Sequence, residues 1–281
     1  MLKSLYRFFS PKFQNVFLDY RVQFAPRYGH GQPPHAQLYD IINAHRDSYA
    51  ELLHNVLDLA TNIQAIKKIG EQNDANQPAW NNNFLPGLDM MMIYTMLATQ
   101  QPKRYVEVGS GNSTKVAAKA KKDHQLRTQI TSIDPHPRAE IDHLADVVIR
   151  KPFEAINLAD ILELEAGDIL FIDNSHRILP NSDATVFFME VLPRLRKGVI
   201  IHIHDIYLPY DYPQFMCDRA YSEQYGLAFF LLANPDRYQT LFPCFFVSED
   251  AQLSDIIAPI WEHPNLQNVE KHGGSFWLTV A

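Results

Sequence analysis

Cysteine is the scarcest chemistry in this chain. Its 281 residues include only Cys217 and Cys244, with neither CxxC nor metal-finger spacing. A disulfide framework and a zinc finger are therefore excluded, and buried free thiols in a reducing compartment are expected. Positive charge is also short. The 25 Lys and Arg against 32 Asp and Glu leave a formal charge of -7, and no basic run offsets it, which argues against nucleic acid or an anionic membrane as partner. No apolar stretch approaches the length of a transmembrane span. The opening MLKSLYRFFSPKF is basic and aromatic but has neither the long apolar segment nor the small-residue cleavage site of a secretory signal. A cytoplasmic location is the resulting expectation.

What the chain does have is core material. It is 46% hydrophobic and 12% aromatic, enough for one principal domain with an N-terminal addition. Leu2, Leu5, Phe8 and Phe9 fall on one helical face with Lys3 and Arg7 elsewhere. That stripe is expected to pack on the protein's own body, with a partner subunit or a membrane surface as alternatives. Residues 22–34 hold three prolines and two glycines and read as a loop. Apolar residues then recur at helical spacing: Leu38, Ile41 and Ile42, then Leu52, Leu53, Val56 and Leu57, then Ile63, Ile66 and Ile69 before Gly70. These predict a helical cap or lid over residues 1–100, set over a substrate or forming the face of a homo-oligomer. Within it, NQPAWNNNFLPGLD carries Trp80 and Phe84 and is a candidate lid or a structural connection. Met90, Met91, Met92 and Met96 just beyond read as core filling.

The stretch with the most chemical content is RYVEVGSGNSTKVAA, residues 104–118. Tyr105, Val106 and Val108 predict a buried strand, Gly109, Ser110 and Gly111 a turn, and Ser113 or Thr114 the N-cap of a helix. Glycines let backbone amides approach a ligand, a helix N-terminus adds free donors, and Glu107 at the strand end can accept hydrogen bonds. Residues 129–133 give a second strand ending on Asp134, which would sit beside Glu107 where an acid can hold ribose hydroxyls. Residues 147–149 form a third strand, followed by Phe153 and Glu154, a candidate stacking ring and acceptor. Residues 168–172 predict a central fourth strand that closes on Asp173, Asn174, Ser175 and His176. Residues 199–203 predict a fifth, ending in His204 and Asp205. His202 and His204 alternate with isoleucines and are expected on opposite faces, with His202 a packed residue. Asp173, His176, His204 and Asp205 thus gather at adjacent strand ends as a metal site, a general-base site or a structural network. The tail predicts a helix over 214–233 and two strands, 238–247 and 275–280.

The strings EVGSGNST, FIDNSH and GVIIHIHDIYLPYDYP, with Asp134 between the first two, resemble class I S-adenosylmethionine-dependent methyltransferases of the small-molecule type with IDxSH and HxHD signatures. The resemblance covers residues 104 to the C-terminus. It implies an α/β fold, a mostly parallel Rossmann-like sheet with helices on both faces and a reversed last strand. It also implies S-adenosylmethionine as cofactor, held by Glu107, Gly109, Ser110, Gly111, Asn112, Ser113, Asp134 and Asp173. A nicotinamide dehydrogenase fits less well, because GSGNST lacks the third glycine of G-x-G-x-x-G. A non-catalytic nucleotide-binding protein remains the other class. The acceptor implied is a small-molecule hydroxyl, sugar-like or natural-product-like, whose proton must be removed. Catechol-type relatives hold magnesium with oxygen ligands at these strand ends. The corresponding set here, Asp173, His204 and Asp205, contains an imidazole, which suits magnesium poorly and leaves a softer divalent metal open. An imidazole oriented by a carboxylate suits a general base. The favoured expectation is therefore metal-free O-methylation with His204 as base, ahead of His176 and with Asp173 beside them.

Overall fold

Seven strands form the sheet in the computed structural model, which describes residues 6, 8–11, 13–137 and 140–281. They are β1 (Arg104–Val108), β2 (Gln129–Ile133), β3 (Val147–Ile149), β4 (Ile169–Ile172), β5 (Ile200–Ile203), β6 (Tyr238–Pro243) and β7 (Phe276–Val280). Their order across the sheet is β3-β2-β1-β4-β5-β7-β6. The first five are parallel, and β7 runs antiparallel between β5 and β6. The central β4 reads ILFI and is buried throughout, the continuous apolar run expected of a parallel strand covered on both faces. Chain order reverses between β1 and β4, and in such sheets ligands lie outside the carboxyl ends of the strands at that point.

Among the described residues, the helices α1 (Ala36–Asn43), α2 (Arg46–Asp58) and α3 (Gly87–Gln100), with a short one over Ala60–Gln64, precede β1. They share the sheet's core. Leu38, Ile42, Leu53 and Val56 belong to the same buried cluster as β1, β4 and β5, and Tyr49 meets Phe242 and Phe246 edge-on. The lid expectation fails for Trp80, which is fully buried, whereas Phe84 is half-exposed. All four methionines of α3 are buried, as core filling requires. In the N-terminal stripe, Leu2, Lys3, Leu5 and Arg7 lie outside the described residues, while Phe8 and Phe9 are exposed.

After β1 comes α4 (Asn112–Asp123), capped at Gly111 and so beginning two to three residues earlier than the hydroxyl caps suggested. The expected 214–233 helix is broken into Gln214–Cys217 and α5 (Glu223–Ala233). Residues 244–249 turn into helix directly after β6, where a longer strand was expected. His202 and His204 correct another expectation. Two residues is one full pleat period, so they share a face. His202 stacks flat on Trp277 at 3.9 Å between ring centroids, and its burial lowers its pKa well below the ordinary value; it is a packed residue, as expected.

Candidate active site

The turn after β1 tolerates only glycine at its first position. Gly109 has φ +85, and a Cβ there would lie 1.9 Å from the carbonyl oxygen of Asp173, so the β1 and β4 ends approach to backbone contact. Glu107 sits behind this turn, wholly buried. The Ser113 hydroxyl donates to it at 3.0 Å, and the Thr114 hydroxyl donates as well while accepting from the Gly111 amide at 3.1 Å. Burial pushes the Glu107 carboxyl up to about 8, against the lowering effect of those hydroxyls and with further raising by Asp173 and Asp134. Glu107 therefore fastens the turn to α4 from the inside.

Asp134 faces the open side. One oxygen accepts from the Ser110 amide at 2.9 Å, the other from the His136 amide at 2.8 Å. A carboxylate has about four lone-pair sites, so two acceptor positions are left for ligand hydroxyls. Arg150 steadies this strand end by donating to the Asp134 carbonyl at 3.0 Å and to Ser132 at 3.3 Å. Together they border a cleft of about 450 Å³ lined by Gly109, Ser110, Asp134, Phe153, Glu154 and Asp173, among others. Of the predicted cofactor residues, Gly109, Ser110, Asp134 and Asp173 line it. Glu107, Gly111, Asn112 and Ser113 stand behind it, and Asn112 instead donates to Asn82 at 3.3 Å.

The β4 and β5 ends carry a second assembly. Asp173 and Asp205 lie between two imidazoles. His176 Nε2 is 3.7 Å from Asp173 and 3.5 Å from Asp205, and its Nδ1 is 2.6 Å from the buried carboxylate of Glu223. Its ring stacks on Tyr221 at 4.5 Å. His204 Nδ1 is 3.7 Å from Asp173 and 3.5 Å from Asp205, while its Nε2 is 3.2 Å from Asp89. Neither nitrogen of His204 meets hydrogen-bond geometry, so these are ion-pair contacts off the hydrogen-bond line. Asp89 itself is fully buried and accepts from the Gly274 and Ser275 amides at 2.8 and 3.1 Å.

Burial alone would strip the proton from each imidazole, but the carboxylates win. His204 is held well above its ordinary pKa by Asp205, Asp173 and Asp89, and His176 is raised to about 9 by Glu223, Asp205 and Asp173. Asp89 is lowered: burial opposes its charge, yet His204 and the two amides prevail. His204 is only 4% exposed, lies beside three carboxylates and is not among the residues that line the cleft. The nearest ligand atoms of Asp173, His176 and Asp205 lie within 4.8 Å of one another, and His204 Nδ1 stands as far from the two aspartates as His176 Nε2 does. Asp89 and Glu223 were missed. Asp89 looked like the first turn of an apolar helix, and the one sequence signal for either was an acid facing an otherwise buried segment.

Residues 106–206 match the family profile described as a methyltransferase domain. Over that segment the chain matches a methyltransferase domain, and its strand order is the one implied by the resemblance to class I S-adenosylmethionine-dependent methyltransferases. The matched segment runs from Val106 in β1 to Ile206 and contains Asp134, Asp173, His176, His204 and Asp205, while Asp89 and Glu223 lie outside it. No curated protein matches the sequence. Among solved structures, the fold is similar to the SAH-bound methyltransferase PaMTH1 of Podospora anserina, at 15% identity and TM-score 0.44 over 90% of this chain and 100% of that one. It is also similar to the plantazolicin methyltransferase BpumL, at 12% identity and TM-score 0.38 over 67% and 84%. A third likeness is to the mycolic acid cyclopropane synthase CmaA1, at 11% and 0.33 over 86% and 98%. Likenesses this loose leave the assignment on the family match and the strand order. Among the described residues, no helix is long and apolar enough to cross a membrane.

Proposed function

We propose that this methyltransferase transfers a methyl group to a hydroxyl of a small molecule, sugar-like or natural-product-like. One observation carries the reading: Asp173 belongs to both assemblies, lining the cleft and lying 3.7 Å from an imidazole on either side. An acceptor presented to the cluster is therefore next to whatever the cleft holds.

The cleft's residues fit S-adenosylmethionine. Gly109 leaves backbone room at the turn, Asp134 keeps acceptor positions for ribose hydroxyls, and Phe153 with Glu154 frames the far wall. When bound, the cofactor supplies a methyl already activated by its sulfonium, so the chain's main task is alignment. A hydroxyl acceptor also has a proton to lose. Asp173 opens onto the cleft and is the group that would accept it, with His176, held through Nδ1 by Glu223, as the cation beside that carboxylate. His204 supports both aspartates from beneath.

The test is transfer of labelled methyl from S-adenosylmethionine to a panel of hydroxyl and amine acceptors by purified protein. Transfer to hydroxyl compounds, lost in Asp173→Ala, is expected; transfer confined to amines, or cofactor binding with no transfer across the panel, overturns the reading.

A further inference from the structure

Half of the large apolar side chains that stand exposed among the described residues lie in one short stretch. Ten of twenty fall within residues 6–24, among them Phe9 at 76%, Phe17 at 78% and Tyr20 at 77% exposed, and seven of the ten are aromatic. Exposed apolar groups scattered singly need no partner, but a contiguous run of this size marks a contact surface. From residue 14 to residue 26 the stretch forms neither helix nor strand, so it lacks the one-sided pattern that a protein groove reads.

Charge separates this arm from the rest of the chain. Residues 1–28 hold Lys3, Arg7, Lys12, Arg21 and Arg27 against Asp19 alone, while the remainder carries 20 basic against 31 acidic residues. The overall charge of -7, which argues against an anionic membrane, therefore conceals a local excess of four positive charges. Salt screens charges more than about 10 Å away, so a surface touching the arm meets the arm's sign and not the chain's. Aromatic rings settle at the headgroup layer of a bilayer, and each Lys or Arg beside them adds attraction to anionic lipid. A folded groove is a poorer host. The apolar cleft bordered by Leu88, Val247, Ile257 and Trp261 encloses about 480 Å³, and since one benzene-sized guest needs roughly 150 Å³, seven rings exceed it.

The root of the arm is fastened to the active face. The Gln214 side-chain amide donates to the Phe24 carbonyl at 2.7 Å, the Arg27 amide to the Asp211 carboxylate at 2.9 Å, and the Asp211 amide to the Tyr28 carbonyl at 2.9 Å. Residues 206–214 continue directly from Asp205, so the arm is clipped to the loop that leaves the β5 end. From this placement we infer that residues 6–24 dock the protein on an anionic lipid surface, anchored beside the carboxyl edge of the sheet. Lipid binding requires neither cofactor nor acceptor and stands apart from the methyl-transfer reading.

The test is flotation of the full-length protein with vesicles of phosphatidylcholine alone and of phosphatidylcholine mixed with phosphatidylserine, at low and high salt. Flotation with the anionic vesicles, falling as salt rises, is expected. Lys12→Ala combined with Arg21→Ala should weaken it about tenfold or more. Phe9→Ser, Phe17→Ser and Tyr20→Ser together should abolish it while the melting temperature stays at the wild-type value. Wild-type protein that floats with neither vesicle or equally with both, or a folded triple variant that floats as well as wild type, overturns the lipid site. Failure to float, together with a dimer in light scattering that the triple variant breaks, would assign the arm to a second copy of this chain instead.

Discussion

The two halves of the sheet's carboxyl edge solve different problems with the same residue type. On the β1–β2 side, Asp134 is satisfied by two backbone amides and faces an open cleft. On the β4–β5 side, Asp173 and Asp205 are caught between imidazoles that are themselves buttressed by the buried acids Glu223 and Asp89. The first half is built to receive a ligand and loses little without one. The second is a set of charges that hold each other in place, so removing any one exposes the rest to the cost of burial.

That contrast predicts opposite outcomes for substitutions that look alike. Glu223→Ala should have the largest effect. It leaves His176 without its closest partner in a buried site, and breaking such a pair costs about 3–5 kcal/mol, read as a large fall in the denaturation midpoint. Asp134→Ala should do the reverse, with melting nearly unchanged and cofactor affinity weakened by about 1.5–3 kcal/mol, the range for hydrogen bonds involving a charged group. Calorimetric titration with S-adenosylhomocysteine measures it. If Asp134→Ala melts early while Glu223→Ala does not, the comparison is upside down.

Glu107 sharpens the comparison with a pH experiment. It lies on the cleft side but is buried, so its carboxyl is raised to about 8 from an unperturbed 4.5. A raised folded-state pKa gives stability that is full below the unfolded value and lost as pH climbs toward the folded one. Wild-type stability should therefore fall between pH 5 and 8 by up to about 1.4 kcal/mol per pH unit from this group. Glu107→Gln cannot ionise and should lack that part of the slope, so its advantage over wild type grows across this window in denaturant melts. Parallel slopes for the two proteins would show that Glu107 is charged in the fold.

Legibility in the sequence followed the same division. The strands β1 to β5, their order along the chain and the glycine turn were readable because each is a local pattern, a few apolar residues and a turn within one stretch. The open acid Asp134 was readable for the same reason, since its place follows from the strand it ends. Of the cluster, Asp173, His176, His204 and Asp205 were read together at the strand ends, but the two buried acids behind them were not. Its members come from positions 89, 173, 176, 204, 205 and 223, and no local rule says that α3 delivers Asp89 under β5 or that α5 delivers Glu223 against His176. His204 was read as the favoured base because a strand end fixes its direction, and no local pattern shows that tertiary packing buries it. The stretch holding Trp80 was read as either a lid or a structural connection, since no local sign shows that Trp80 turns inward.

The Asp89 contacts have a consequence for how the chain is made. A carboxylate from the first turn of α3 is satisfied by the Gly274 and Ser275 amides at the entry to β7, 185 and 186 residues further along. During synthesis this acid waits for that whole intervening stretch. A chain that stops short of those amides buries Asp89 with two of its hydrogen bonds missing, so truncation ahead of β7 should weaken the fold beyond the loss of the strand itself.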